Sequence, residues 1–213
     1  YNTDNYEQYH YQAQLTQRLS EGLILNLTAH YTKGYGFTDE YRTGRKLKEY
    51  GLKEFILRDE NGAAILGKDG KEQKVKKITL LRTKYLDNDF AGGIATLDYK
   101  SDHLELTAGL SANHYAGDHY GERLPVTPYP YLVEPNERYY EDKANKTDLS
   151  GFVKANYEVA TGLNLFADLQ YRFIDYRIAG TIDHFVKNSQ GAMVAQEIDL
   201  KKTFSFLNPK AGL

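Results

Sequence analysis

The chain contains no cysteine and no tryptophan. The first absence removes disulfides, thiol nucleophiles and thiolate-held metals from consideration. No run of 18 or more apolar residues occurs, which excludes a membrane-spanning helix. A membrane-spanning barrel stays open, because strands that alternate between lipid and lumen dilute the hydropathy of every segment. A strong charge of one sign is missing too. A net charge of -2 over 213 residues argues against nucleic acid as the main partner. Proline is scarce at five, and four of the five fall in one connection. No Ser/His/Asp arrangement, zinc-helix motif or dinucleotide fingerprint is present, so the expectation is a protein that is not an enzyme and carries no cofactor. An initiator Met, a basic leader and an apolar leader segment are also lacking, and the chain reads as a piece of a larger protein.

What the chain does have is alternation. A mean hydropathy of -0.63 and 26% charged residues resemble a soluble protein, yet the apolar residues are not scattered. From Asp148 to Tyr176 the sequence rises, corners at Thr161-Gly162 and returns. On the return, Leu163, Leu165, Ala167, Leu169, Tyr171 and Phe173 occupy every second position, with Asn164, Asp168, Gln170 and Arg172 between them. Successive strand side chains point to opposite faces, so this period of two gives a ribbon with one apolar and one polar face. The corner glycine supplies the positive φ that tight hairpins need.

The same pattern fills the rest of the chain. A first strand near 7–18 carries Tyr9, Tyr11, Ala13 and Leu15 on one face, and a second carries Leu23, Leu25, Leu27, Ala29 and Tyr31. Strands near 90–100 and 104–113 follow, then the hairpin, then a seventh strand from about Thr203. The expected connections alternate between tight turns and long segments, the long ones at 36–83, 118–147 and 177–201. The first is locally basic, with twelve Lys and Arg against eight Asp and Glu. Within it, Phe55-Ile56-Leu57 and Ala64-Ile65-Leu66 flank Asp59-Glu60-Asn61-Gly62 and predict a small private hairpin. In an antiparallel meander all tight turns lie at one end and all long connections at the other. The expected fold is therefore all-β, one antiparallel up-and-down meander of about seven strands, of the kind that builds a transmembrane barrel with short periplasmic turns and long extracellular loops.

Tyrosine, used 19 times, supports that placement. Tyr31 follows Leu23 by eight residues and Tyr171 follows Leu163 by eight. At strand rise and barrel tilt this spans roughly 20 Å of height, close to the apolar band of such barrels. Tyr99 and Tyr157 precede tight turns, where the opposite aromatic girdle belongs. A soluble β-sandwich also alternates, and its outer face would accommodate Gln8, His10, Gln12 and Gln14; it stands as the competing fold.

Several stretches carry possible chemistry. Gly62-Ala63-Ala64-Ile65-Leu66-Gly67-Lys68 matches most of a phosphate-binding loop, but Asp69 stands where Ser or Thr should bind magnesium, and Gly70 interrupts any helix. His114, Asp118, His119 and Glu122 are of metal-ligand type, and strand geometry decides whether they meet. Asp87, Asn88 and Asp89 offer oxygens to calcium. Asn26-Leu27-Thr28 and Asn145-Lys146-Thr147 are formal glycosylation sequons. Tyr120, Tyr129, Tyr131, Tyr139 and Tyr140, with Pro125, Pro128, Pro130 and Pro135, suggest a stiff aromatic surface for stacking on a ligand. Arg42, Arg45 and Lys46 begin the basic segment and would attract an anion, or meet lipopolysaccharide phosphates.

The run Phe37-Thr38-Asp39-Glu40-Tyr41 through Lys48-Glu49-Tyr50-Gly51-Leu52 resembles the first loop in barrels of TonB-dependent outer-membrane receptors of Bacteroidetes. Asp87-Asn88-Asp89-Phe90, the stretch from His114 to Glu122, and the closing Phe206-Leu207-Asn208-Pro209-Lys210-Ala211-Gly212-Leu213 extend the likeness over essentially the whole chain. The resemblance implies part of a 22-stranded barrel in the bacterial outer membrane, its lumen filled by a plug domain absent from these residues. It implies import of a scarce ligand such as an iron chelate, haem, cobalamin or glycan, driven by TonB acting through that missing part. The implied partners are outer-membrane lipid, lipopolysaccharide, the plug and the small-molecule ligand. A passive porin or adhesin barrel, and a soluble carbohydrate-binding sheet, are the rival readings.

Overall fold

The computed structural model describes residues 2–213. The period-two stretches all form strands, and these pair with their sequence neighbours. The long strands are β1 (Asn2–Ser20), β2 (Leu23–Lys46), β5 (Lys77–Lys100), β6 (Leu104–Pro125), β7 (Arg138–Ala160), β8 (Leu163–Lys187) and β9 (Met193–Gly212). Two short ones, β3 (Phe55–Ile56) and β4 (Lys74–Val75), pair separately. The seven long strands make one antiparallel meander in the order β1-β2-β5-β6-β7-β8-β9. No α-helix occurs among the described residues; one 3-10 turn covers Leu47–Tyr50. The all-β meander of the sequence reading is thus present. The other sheet among the described residues has only two strands, β3 and β4, and its Phe55 and Val75 pack on the buried cluster at one end of the meander.

Register assigns the faces, because directly paired residues project to the same side. One row runs Leu15, Leu27, Ala95, Leu110, Gly151, Tyr171, Leu207, and the next Ala13, Ala29, Gly93, Ala112, Leu149, Phe173. Most apolar positions of the strands therefore fall on one face, whereas Ile24, Ile94, Phe152, Phe166, Phe204 and Phe206 lie on the other. The apolar face stays open: Leu15, Leu110, Val153, Leu169, Tyr171 and Leu207 are half or more exposed. Tyr11 pairs with Tyr31 at its upper margin, and Tyr99 pairs with Leu23 at its lower one. The opposite face is wet, with rows such as Gln14, Thr28, Ile94, Ser111, Ser150, Arg172. Its polar groups bond to each other: Ser111 to Ser150 at 2.7 Å, the Asn26 amide to Asp98 at 2.8 Å, Thr107 to Asp98 at 2.7 Å. Asn26, in the first sequon, is held in this lattice.

The strands are 19–25 residues long, and the expected long connections shrink accordingly. The strands continue well past the Tyr31 row, where charged residues break into the aromatic face and the sequence loses its alternation. The segment expected at 36–83 becomes a connection of Leu47 to Lys76, that expected at 118–147 becomes Val126 to Glu137, and that expected at 177–201 becomes a tight turn, Asn188 to Ala192. Asn188 closes this last turn itself, its side chain accepting from the amides of Gln190 and Ala192. The alternation of tight and longer connections holds through β8 and ends there, and most of the length expected as loop is ladder.

The core sits at one end. Leu47, Tyr50, Leu52, Ile78, Leu80, Tyr139 and Tyr140 form the buried cluster, all at the end of the long connections.

Candidate functional site

The connection from Leu47 to Lys76 is a small folded lobe. Leu47 N–H donates to the Lys76 carbonyl at 3.0 Å and closes its base. The 3-10 turn then drops Leu47 and Tyr50 into the core. Gly51 ends the turn at φ 66, and a Cβ there would run into the Phe185 ring, so both conformation and space call for glycine. Farther out, three segments satisfy one another in a ring: Leu57 N–H to Gln73 O, Gln73 N–H to Ile65 O, and Ile65 N–H to Leu57 O, at 2.8–2.9 Å. The private hairpin is therefore real but gains a third arm. The phosphate-loop-like stretch Gly62–Lys68 lies in this ring with no helix after it.

Beneath the lobe, two β-bulges build a clamp. Between β7 and β6, Tyr140 pairs with Gly121 and Arg138 with Glu122, leaving Tyr139 as the extra residue. Between β8 and β9, Asp183 and His184 are extra. Bulges re-aim side chains, and here both aim at one point: Tyr139 O–H donates to Asp183 at 3.0 Å. Asp183 also accepts from Arg82 at 3.0 Å and meets Lys84 at 2.9 Å. Arg82 in turn donates through Nε to Glu40 at 2.6 Å, and Arg42 reaches the same oxygen at 2.8 Å. Burial by itself would raise the Glu40 carboxyl, but the hydrogen bonds from Arg42 and Arg82 outweigh it and hold the group below the usual range. Burial pushes the Tyr139 and Tyr140 hydroxyls well above theirs, so both stay neutral donors.

Between the lobe and the Pro-rich connection lies a cleft of about 1140 Å³, walled by Phe55, Val75, Ile78, Tyr129 and Tyr131 and rimmed by Glu54, Arg58, Lys74 and Lys77. Tyr129 is the fixed point. Lys53 N–H donates to its hydroxyl at 2.9 Å, and that hydroxyl donates to the Lys53 carbonyl at 3.2 Å. Phe55 and Tyr131 meet the Tyr129 ring edge-on, at centroid distances of 5.7 and 5.4 Å. A rigid aromatic wall with charges at its edge suits capture of a small molecule.

The structure divides the residues expected to bind ligand. Tyr129 and Tyr131 stand in the cleft. Tyr139 and Tyr140 are core residues of the clamp. Tyr120 lies on the opposite, apolar-side face, stacked on Tyr85 at 4.7 Å and capped by Arg138 at 3.7 Å. The five tyrosines thus form three groups, not one surface, because alternation and a bulge send them different ways. Arg42 and Arg45 are engaged by Glu40 and by Glu49 (3.4 Å), and Lys46 is exposed at the lobe's base.

The suggested metal set does not assemble. His114, Asp118 and Glu122 fall on one face of β6 and His119 on the other, where it bonds Asp142 at 2.8 Å. His114 bonds Thr147 and Asp118 meets Lys143. No group of three or more His, Asp or Glu poised for a metal occurs among the described residues. Asp87 and Asp89 enclose the Lys33 ammonium at 2.5 and 3.0 Å, while Asn88 faces the other way to Tyr6, so a side-chain cation occupies the place suggested for calcium.

Sequence reasoning missed Glu40, Tyr50 and Asp183 as a unit, and it missed Arg123. The Arg123 side chain is 9% exposed, sits 5.3 Å from the Tyr139 ring centre, and meets only Glu137, at 3.5 Å. Its Nε and Nη1 have no partner. A bulge leaves no compositional mark, so no sequence signal could have located Tyr139 against Asp183.

No protein-family profile matches this chain, and neither a curated protein nor a solved structure matches it.

Proposed function

We propose that this chain is part of the wall and outer mouth of an outer-membrane β-barrel receptor of the TonB-dependent kind, serving uptake of a scarce small molecule. The observation that carries the reading is the open apolar face. Seven strands present a continuous belt of Leu, Val, Ala and Gly between tyrosine rows, and the large side chains on it are exposed. In water, an apolar patch of this extent would drive association; against hydrocarbon it is satisfied, with tyrosine hydroxyls at headgroup level. In this reading the wet face lines the lumen and contacts the plug. The lobe and cleft stand at the extracellular mouth, where they hold a ligand before the plug, moved by force from the inner membrane, lets it pass. The clamp of Glu40, Arg82, Asp183 and Tyr139 fixes the lobe over the mouth, so capture needs little ordering of the loop.

Fractionation of cells with an antibody against this chain tests the reading. The expected result is a band several times heavier than 24.3 kDa in the outer membrane. A band near that mass in a soluble fraction would overturn it in favour of a soluble β-domain.

A further inference from the structure

We infer that the cleft between the lobe and the Pro-rich connection selects an anionic small molecule with a flat, ring-containing body. The inference deepens the receptor reading and rests on this cleft being its capture site. Two observations point to that chemistry.

The first is shape. The walls are rings and aliphatic side chains, with Tyr129 held at both ends of its hydroxyl contact to Lys53. Fixed aromatic faces favour flat partners, because stacking then costs no ordering of the wall. A volume of about 1140 Å³ accommodates a drug-sized molecule.

The second is charge at the rim. Lys74 neutralises Glu54 at 3.0 Å, which removes the one rim carboxylate from play. Arg58 and Lys77 line the same cleft and have no carboxylate partner among the described residues. Lys53, 6.0 Å from the Tyr131 ring centre, is likewise without one. The cleft therefore presents apolar walls under an unneutralised cationic edge.

A cationic ligand is repelled at that edge and a neutral one gains only the aromatic wall, whereas an anion is favoured by both.

The test uses the full chain in lipid nanodiscs and two probes sharing one ring system, naphthalene carboxylate and naphthalene methanol. Binding is read by saturation-transfer NMR titration, with empty nanodiscs subtracted. The carboxylate should bind about tenfold tighter than the alcohol at low salt, and added salt should narrow the gap. The double variant Arg58→Gln/Lys77→Gln should shrink the gap about threefold or more, Lys53 remaining, and leave the alcohol's affinity unchanged. Tyr129→Leu should weaken both probes. Amide exchange across the lobe verifies that each variant keeps its fold; should the double variant lose it, Lys77→Gln alone, expected to halve the preference or more, replaces it. Equal binding of the two probes, no binding of either, or a preference undiminished by the double variant would overturn the inference. An outer-membrane band together with any of these results would leave the receptor reading standing and remove only the ligand class.

Discussion

The two ends of the sheet are held together by different physics. Near the tight turns, between the Tyr99 and Tyr31 rows, the sheet has no buried hydrophobic side chain; its order comes from ladder hydrogen bonds and cross-strand pairs. At the other end Leu47 and Leu80 are completely buried, and the lobe, the two bulges of the clamp and its ion pairs converge there. The first end exposes its large apolar side chains, and the second carries its own core. In the receptor reading proposed above, the first is a wall that depends on the surrounding lipid and the second a mouth that does not.

Three experiments would break or sharpen that contrast. The largest effect is expected from Leu47→Ala, which opens a cavity in the lobe's core and should cost about 2–5 kcal/mol. The loss should appear as faster amide exchange from Leu47 to Lys76 with the belt strands unchanged. Exchange rising equally in the belt would mean that the two ends fold as one unit.

Next comes Leu110→Arg. Leu110 is 69% exposed and lies on the Leu27 row, midway between Tyr31 and Leu23. On a lipid-facing wall a midplane arginine costs about 2–4 kcal/mol; on a water-facing sheet the same change would stay within about 0.5 kcal/mol. Unfolding measured in bilayers should show the larger loss, while Gln14→Arg on the wet face should show almost none. Equal, small effects would remove the belt from the membrane.

The smallest effect is the pH dependence of the clamp. The folded Glu40 carboxyl is lowered relative to the unfolded chain. Its contribution is therefore fully present above the ordinary glutamate value near ~4.3 and is lost as pH falls through the folded value. Acidification through the lowered folded value, below the ordinary glutamate range, should release the Arg42 and Arg82 contacts, and exchange in the lobe should quicken before the belt changes. A lobe indifferent to acid would show that the buried leucines hold it without the clamp.

The belt was legible in the sequence because its cause is local. Leu163, Leu165, Leu169 and Tyr171 declare a face simply by recurring at every second position. The limits of the strands were not legible. From Lys84 to Asp89 and from Lys33 to Lys46 charged residues break into the aromatic face, so the ladder continues where the pattern has stopped. The candidate site was read only in part. Tyr129 and Tyr131 were identified from their prolines and spacing, whereas Tyr120 was grouped with them although a strand face separates it.

Strand order and the apolar face followed from composition at a period of two, since neighbours in sequence are neighbours in the meander. The clamp and the cleft did not, because Glu40, Arg82, Tyr139 and Asp183 come from four strands. Two of these residues are displaced by bulges, whose position depends on how the chains above them pack. Alternation is a property of consecutive residues, and the sequence alone determined it. Convergence across more than a hundred residues, from Arg82 to Asp183, was decided only by the tertiary structure.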